Sequence, residues 1–113
     1  MKPKQFFCYI TTNPTKTVLY VGATNNLPQR LIEHYLNRGL EPTFTGRYNC
    51  FNLLYYEIFY SATDAFSREN QIKGWTRKKK ELLIETQNPD WNFLNKDIME
   101  WPPAKDAVKR GSV

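Results

Sequence analysis

"CYITTNPTKTVLYVGATNNLPQR", residues 8–30, decides how this chain folds. Together with the residues just before it, the stretch holds two short runs rich in β-branched and aromatic residues, "QFFCYITT" and "TVLYVGA", separated by the turn signal "NPTK". The pattern predicts a β-hairpin with strands at residues 5–12 and 17–23. Pairing across that turn would bring the hydroxyls of Tyr9 and Tyr20 out on one side of the sheet, although each tyrosine taken singly reads as a core residue. Gly22 stands where the chain leaves the second strand, a position suited to close approach of another group.

After the hairpin the punctuation turns helical. Asn26 is an N-cap candidate, Pro28 falls in the first turn and Gly39 is a stop signal, so residues 27–38 are expected as helix one. At about 100° per residue, Leu27, Leu31, Ile32, Tyr35 and Leu36 form its apolar arc, and Arg30 and His34 share the shoulder one turn apart. "LEPTFTGRYNCF" has no period and is expected as a loop, in which Arg47 and Tyr48 could touch a ligand. "NLLYYEIFY" is apolar on both faces apart from Glu57 and is expected as a third strand, central in its sheet. "SATDAFSRENQIKGW" reads as helix two, capped by Ser61 or Thr63, and "TRKKKELLIET" as a short basic helix beyond a bend at Gly74. "NPDWNFL" reads as a turn anchored by Trp91. Residues 98–113, which include Pro102 and Pro103, are expected as a loose tail to a single domain spanning 1–97.

Length and composition narrow the classes of function. A chain of 113 residues suits one core, and 41% hydrophobic residues with dispersed charge indicate a folded rather than a disordered protein. The longest apolar runs fall far short of the roughly 20 residues of a membrane span, and the N-terminus lacks the pattern of a signal peptide, so a cytoplasmic location without membrane contact is expected. Two cysteines and one histidine cannot build a four-ligand zinc site of Cys and His within one chain. A net charge of +5 and a pI near 9.3 favour a polyanionic partner.

The informative position is Glu69. On helix two, Ala62, Ala65, Phe66 and Ile72 cluster on one side, and Glu69 projects near the middle of that arc. A buried, unpaired carboxylate costs several kcal/mol, so Glu69 either faces a cation, a metal or a water-filled cleft, or the helix is rotated and exposes it. Two tyrosines, an arginine, a histidine and an inward carboxylate suit metal-assisted phosphodiester hydrolysis. The carboxylate can hold a hard divalent cation, the arginine can steady a phosphate, and the phenol or imidazole can manage a proton.

In order and spacing, these residues resemble the GIY-YIG nuclease family, in particular its small stand-alone members. Cys8-Tyr9-Ile10 and Tyr20-Val21-Gly22 stand for the two name-giving triplets, followed by Arg30, then "FTGRYN", "LLYYE", "AFSRENQIKGWTRKKKELLIE" and "NPDWNFL". The resemblance covers roughly residues 5–95. It departs from the pattern at Cys8, in place of glycine, and at Val21, in place of isoleucine.

That resemblance implies an α/β fold of the α+β kind, a small three-stranded antiparallel sheet flanked by helices, and a DNA endonuclease that uses Mg²⁺ or Mn²⁺. It implies Tyr9 as candidate general base, Tyr20 as an orienting residue, Arg30 at the phosphate, Glu69 at the metal, and His34 at a position often occupied by histidine. Family members also often carry a late asparagine near the site, and Asn88 and Asn92 are both candidates. Arg68, Lys73, Arg77, Lys78, Lys79 and Lys80 are expected to supply DNA phosphate contacts. DNA repair or recombination is the expected setting, with a protein partner for substrate choice. The competing reading is a non-cleaving nucleic-acid-binding or complex-forming module of the same fold.

Overall fold

The computed structural model describes residues 3–104. The elements are β1 (Phe6–Thr12), β2 (Leu19–Thr24), α1 (Leu27–Leu36), α2 (Phe44–Arg47), β3 (Asn52–Phe59), α3 (Ala62–Lys73), α4 (Arg77–Gln87) and α5 (Asn95–Ile98). The hairpin forms as its composition demands. Lys16 adopts φ 61° in the turn, and the Asn13 side-chain oxygen accepts from the backbone N–H groups of Thr17 and Val18, both at 2.9 Å. Side-chain capping of this kind is why Asn is favoured in turns.

The three strands are antiparallel in the order β2-β1-β3, so β1 is central and β3 lies at an edge. This corrects the expectation that β3 is central, and the physical reason lies in how its backbone is covered. Leu53 N–H donates to Asn95 Oδ1 at 2.8 Å, Leu53 O accepts from Leu94 N–H at 2.7 Å, and Leu54 O accepts from Asn88 Nδ2 at 3.0 Å. The Gln87 amide bonds both Tyr56 N–H, at 3.2 Å, and Tyr56 O, at 3.0 Å. An edge satisfied in this way needs no charged residues to protect it from pairing, so its sequence reads like an interior strand.

Alternation along β1 divides the interior between the sheet's two faces. Cys8 and Ile10 join Val21, Leu54, Tyr55, Ile72 and Ile84 in a cluster covered by α3 and α4. Tyr9 joins Leu27, Leu31 and Leu53 in a second cluster, covered by α1 and by Leu94, Ile98, Met99 and Trp101. Phe66, placed by its period in the apolar arc of helix two, is 52% exposed. The expected loose tail, 98–113, begins as packed chain, with Trp101 edge-on to Tyr35 at 5.3 Å; residues 105–113 lie outside the described residues. Among the described residues no helix is long and apolar enough to cross a membrane.

The caps follow sequence punctuation. Asn26 Oδ1 accepts from Gln29 N–H to start α1, Ser61 caps α3 and Thr76 caps α4. The segment expected as a loop contains the one-turn α2, capped by Thr43. Its Gly46 is pressed so closely on the end of α1 that a Cβ would overlap the carbonyl oxygen of Asn37.

Candidate active site

Tyr9 is the centre of the cluster under α1. It is fully buried, and its cross-strand partner on β2 is Gly22. A Cβ on Gly22 would stand 2.6 Å from the Tyr9 hydroxyl and 2.9 Å from the Tyr20 ring. The glycine therefore acts by its missing side chain, leaving the space through which the Tyr9 phenol extends. The Tyr9 hydroxyl meets His34 Nε2 at 2.8 Å. Tyr20 packs on both, with ring centroids 6.2 Å from Tyr9 and 5.6 Å from His34.

Arg30, one turn before His34 on α1, completes this group. Its guanidinium bonds Glu33 at 3.3 Å and remains 41% exposed, while its charge is felt at both Tyr9 and His34. Burial, reinforced by Tyr20, pushes the Tyr9 phenol well above its ordinary range, and Arg30 opposes that shift without overcoming it. The phenol is therefore protonated at neutral pH, so Tyr9, expected as a candidate general base, does not stand ready as a phenolate. Burial first, and then the Arg30 charge, bring His34 down to about 4, so its imidazole is neutral. In the tautomer with its proton on Nδ1, His34 Nε2 accepts from the Tyr9 hydroxyl.

Glu69 comes from α3. Its side chain is 15% exposed and bonds Lys73 Nζ at 2.8 Å. Its charge reaches Tyr9 and Cys8, opposing ionisation of both. The inward carboxylate thus has a cation beside it, and that cation is Lys73, which the sequence reading assigned to DNA phosphates. Cys8 is fully enclosed, and burial, with Glu57 and Glu69 adding to it, pushes its thiol up to about 12. It packs as a small apolar residue.

The remaining expected residues separate into used and free. Arg68 is not presented to a ligand. Its Nε and Nη2 donate to the Glu57 carboxylate, each at 3.0 Å, and its Nη1 donates to Gln71 at 2.7 Å. Arg77 is likewise committed, to Glu81 at 2.9 Å and to the hairpin carbonyls of Thr17 and Lys16 at 2.8 and 3.0 Å. Lys79 lies 4.3 Å from the centre of the Trp75 ring. Lys78 is exposed and Lys80 half-buried in the first turn of α4.

Asn88 is buried, its amide donating to Leu54 O and Asn92 O, so it ties the end of α4 to β3. Asn92 is exposed and gives its backbone N–H to Asn88 Oδ1. A third late asparagine, Asn95, escaped the sequence reading. It is 1% exposed and holds Leu53 N–H and Phe51 O. Polar and apolar residues are mixed through "DWNFLNKDI", residues 90–98, so no local signal singles Asn95 out.

The molecule is a small mixed α/β domain whose hairpin sets paired tyrosines against a helix bearing arginine and histidine. Residues 5–82 match the family model described as the GIY-YIG catalytic domain, and the chain belongs to this nuclease family, whose substrates are nucleic acids.

Several relatives carry the name UPF0213 protein. That of Bacillus pumilus is 42% identical over 67 residues, 59% of this chain and 66% of its own length, so the match spans just under two thirds of that protein. That of Clostridium perfringens is 39% identical over 80 residues, 71% of this chain and 84% of the relative. The solution NMR structure of a UPF0213 protein from Bacillus halodurans superposes with a TM-score of 0.50 at 25% identity, covering 85% of this chain and 97% of the other.

Proposed function

We propose that this chain is a divalent-metal-dependent DNA endonuclease that hydrolyses phosphodiester bonds in DNA repair or recombination. The observation that carries the reading is the Tyr9 hydroxyl on His34 Nε2 at 2.8 Å, beside Arg30. A neutral phenol cannot accept a proton from water and keep its own. The contact supports a relay: as the attacking water passes a proton to the Tyr9 oxygen, the phenolic proton passes to His34 Nε2. The Arg30 charge is one of the two causes that lower His34. A phosphate bound at Arg30 offsets that charge and raises the basicity of His34 when the substrate is present. Arg30 also stabilises charge on the phosphorane-like transition state, and Tyr20 holds the Tyr9 and His34 rings in position.

The donor set fits Mg²⁺ or Mn²⁺ held by Glu69. Among the described residues no three His, Cys, Asp or Glu side chains converge, which suits a cation that takes one or two carboxylates, waters and substrate phosphate rather than an all-protein cage. When bound, the ion supplies Lewis-acid charge at the scissile phosphate and the leaving 3′ oxygen. Lys73 must yield the carboxylate, and its side chain is 49% exposed, so solvent compensates much of that loss. The Lys73–Glu69 pair also favours the second reading, a non-cleaving nucleic-acid-binding or complex-forming module, because Glu69 is already neutralised without a metal.

Labelled linear and branched DNAs offered to wild type and Glu69→Ala with Mg²⁺ or Mn²⁺ separate the two. Wild type is expected to cut at least one substrate, and Glu69→Ala to bind it but cut on the order of a hundredfold more slowly or worse. Binding without cleavage by wild type would establish the second reading; equal cutting by both proteins removes Glu69 from its role.

A further inference from the structure

We propose that α2 and its flanks form a stacking platform for an unpaired nucleobase beside the phosphate to be cut, so that the preferred substrate carries a single-stranded segment at the cleavage site. The inference rests on the nuclease reading and names its substrate class.

Aromatic rings run continuously from the floor of the site to solvent. Ring centroids are 6.2 Å apart from Tyr9 to Tyr20, 5.9 Å from Tyr20 to Phe44, and 4.8 Å from Phe44 to Tyr48. Tyr9 at the inner end is 0% exposed, whereas Phe44 and Tyr48 at the outer end are 48% and 39% exposed. The outer two rings thus present open surface to water while their inner neighbour touches the catalytic group.

The platform is held in place. Thr43 Oγ1 accepts from Gly46 N–H at 3.0 Å, Gly39 N–H donates to Gly46 O at 2.7 Å, and Cys50 N–H donates to Thr45 O at 2.8 Å. Gly46 sits tightly against the end of α1, as described above. Preformed rings lose little freedom on binding, which favours affinity.

Charge points to a nucleic acid as the occupant. Arg47 lies 5.5 Å from the Tyr48 ring centre. The pair between Arg47 and Glu41, at 3.4 Å, has side chains 56% and 79% exposed, so a phosphate can replace it at little cost. Exposed aromatics flanked by cations are the means by which proteins hold single strands, since each base offers a stacking face. Bases inside a duplex have both faces covered by their neighbours, so only an unpaired base can occupy the platform.

The test uses the full chain without divalent metal, so that binding is read without cutting. Anisotropy is measured on a labelled blunt duplex and on the same duplex carrying a single-stranded flap, with 2-aminopurine at the junction as the stacking probe. Wild type is expected to prefer the flap substrate. Phe44→Leu, which keeps apolar packing but removes the ring, and Tyr48→Ala should each lower the ratio of flap to duplex affinity on the order of tenfold, with loss of the 2-aminopurine signal. A wild type without flap preference, or variants that leave the ratio unmoved, as a surface for a protein partner or a second copy would, overturns the proposal. Failure of the nuclease reading looks different: a flap preference that depends on Phe44 in a wild type that cuts nothing with Mg²⁺ or Mn²⁺ retains the platform and removes the nuclease.

Discussion

The two faces of this sheet carry similar chemistry put to opposite uses. Under α3, the Tyr55 hydroxyl donates to Glu57, and Arg68 closes the group by gripping the same carboxylate. Under α1, Tyr9 meets a neutral histidine, and Arg30 keeps 41% of its side chain in solvent with one bond to Glu33 at 3.3 Å. A tyrosine and an arginine occur in each. In the first cluster a carboxylate satisfies both, which makes a staple between β3 and α3. In the second the arginine pairs with Glu33 in a solvent-exposed contact on the same helix, which an anion can replace at little cost, and the phenol faces a base, so the group keeps the capacity to bind an anion and move a proton.

Removing one hydroxyl from each cluster tests that contrast most severely. Tyr9→Phe is expected to lower the cleavage rate by about a hundredfold or more, whereas Tyr55→Phe leaves the rate per folded molecule within about twofold and costs about 1 kcal/mol in urea denaturation. Full cleavage by Tyr9→Phe would erase the distinction between the faces.

Gly22→Ala attacks the same cluster through space rather than chemistry. The added methyl must displace the Tyr9 hydroxyl, so a loss of about 1–3 kcal/mol is expected, with cleavage reduced about tenfold or more because the phenol is moved. Kinetics and thermal melting of one preparation read both effects. A normal cleavage rate would show that the position of Tyr9 is not critical.

Acid sharpens the comparison, because the α1 face alone contains a buried histidine. The folded His34 is lowered to about 4, below its ordinary value of about 6.5. As pH falls through that window the unfolded chain binds the proton first, so stability is present above about 6.5 and is lost toward about 4. The loss is on the order of 3 kcal/mol, and urea midpoints at a series of pH values should show it. His34→Gln should flatten that slope; an unchanged slope would assign the acid sensitivity elsewhere.

Arg68→Met should act on stability alone. Its pair with Glu57 is partly buried, at 25% and 21% exposure, so a loss of about 1–2 kcal/mol is expected, with DNA affinity and its salt dependence retained. A fall in the salt slope would return Arg68 to the phosphate contacts first expected of it.

Much of the fold was legible because its signals are local. Asn13, Asn26, Ser61 and Thr76 cap or turn the chain where their types lead one to look, and the period of two along β1 separates Cys8 and Ile10 from Tyr9. The misreadings share a cause. The apolar run of β3 suggested an interior strand because Gln87, Asn88 and Asn95, which serve its backbone, come from distant positions. In "RKKK" the charge pattern did not show that Arg77 bonds the hairpin turn and that Lys79 lies over Trp75. The helical period included Phe66 although α3 leaves it exposed.

The sequence by itself determined the hairpin, the three principal helices and the adjacency of Arg30 and His34, since each depends on neighbours within a few residues. Tertiary structure alone decided what those groups do to one another. Burial neutralises His34 and keeps Tyr9 protonated, and Gly22 opens the space that lets them meet. Protonation and pairing depend on desolvation and on charges brought together across the fold, and these arise only when β1, α1 and α3 pack together.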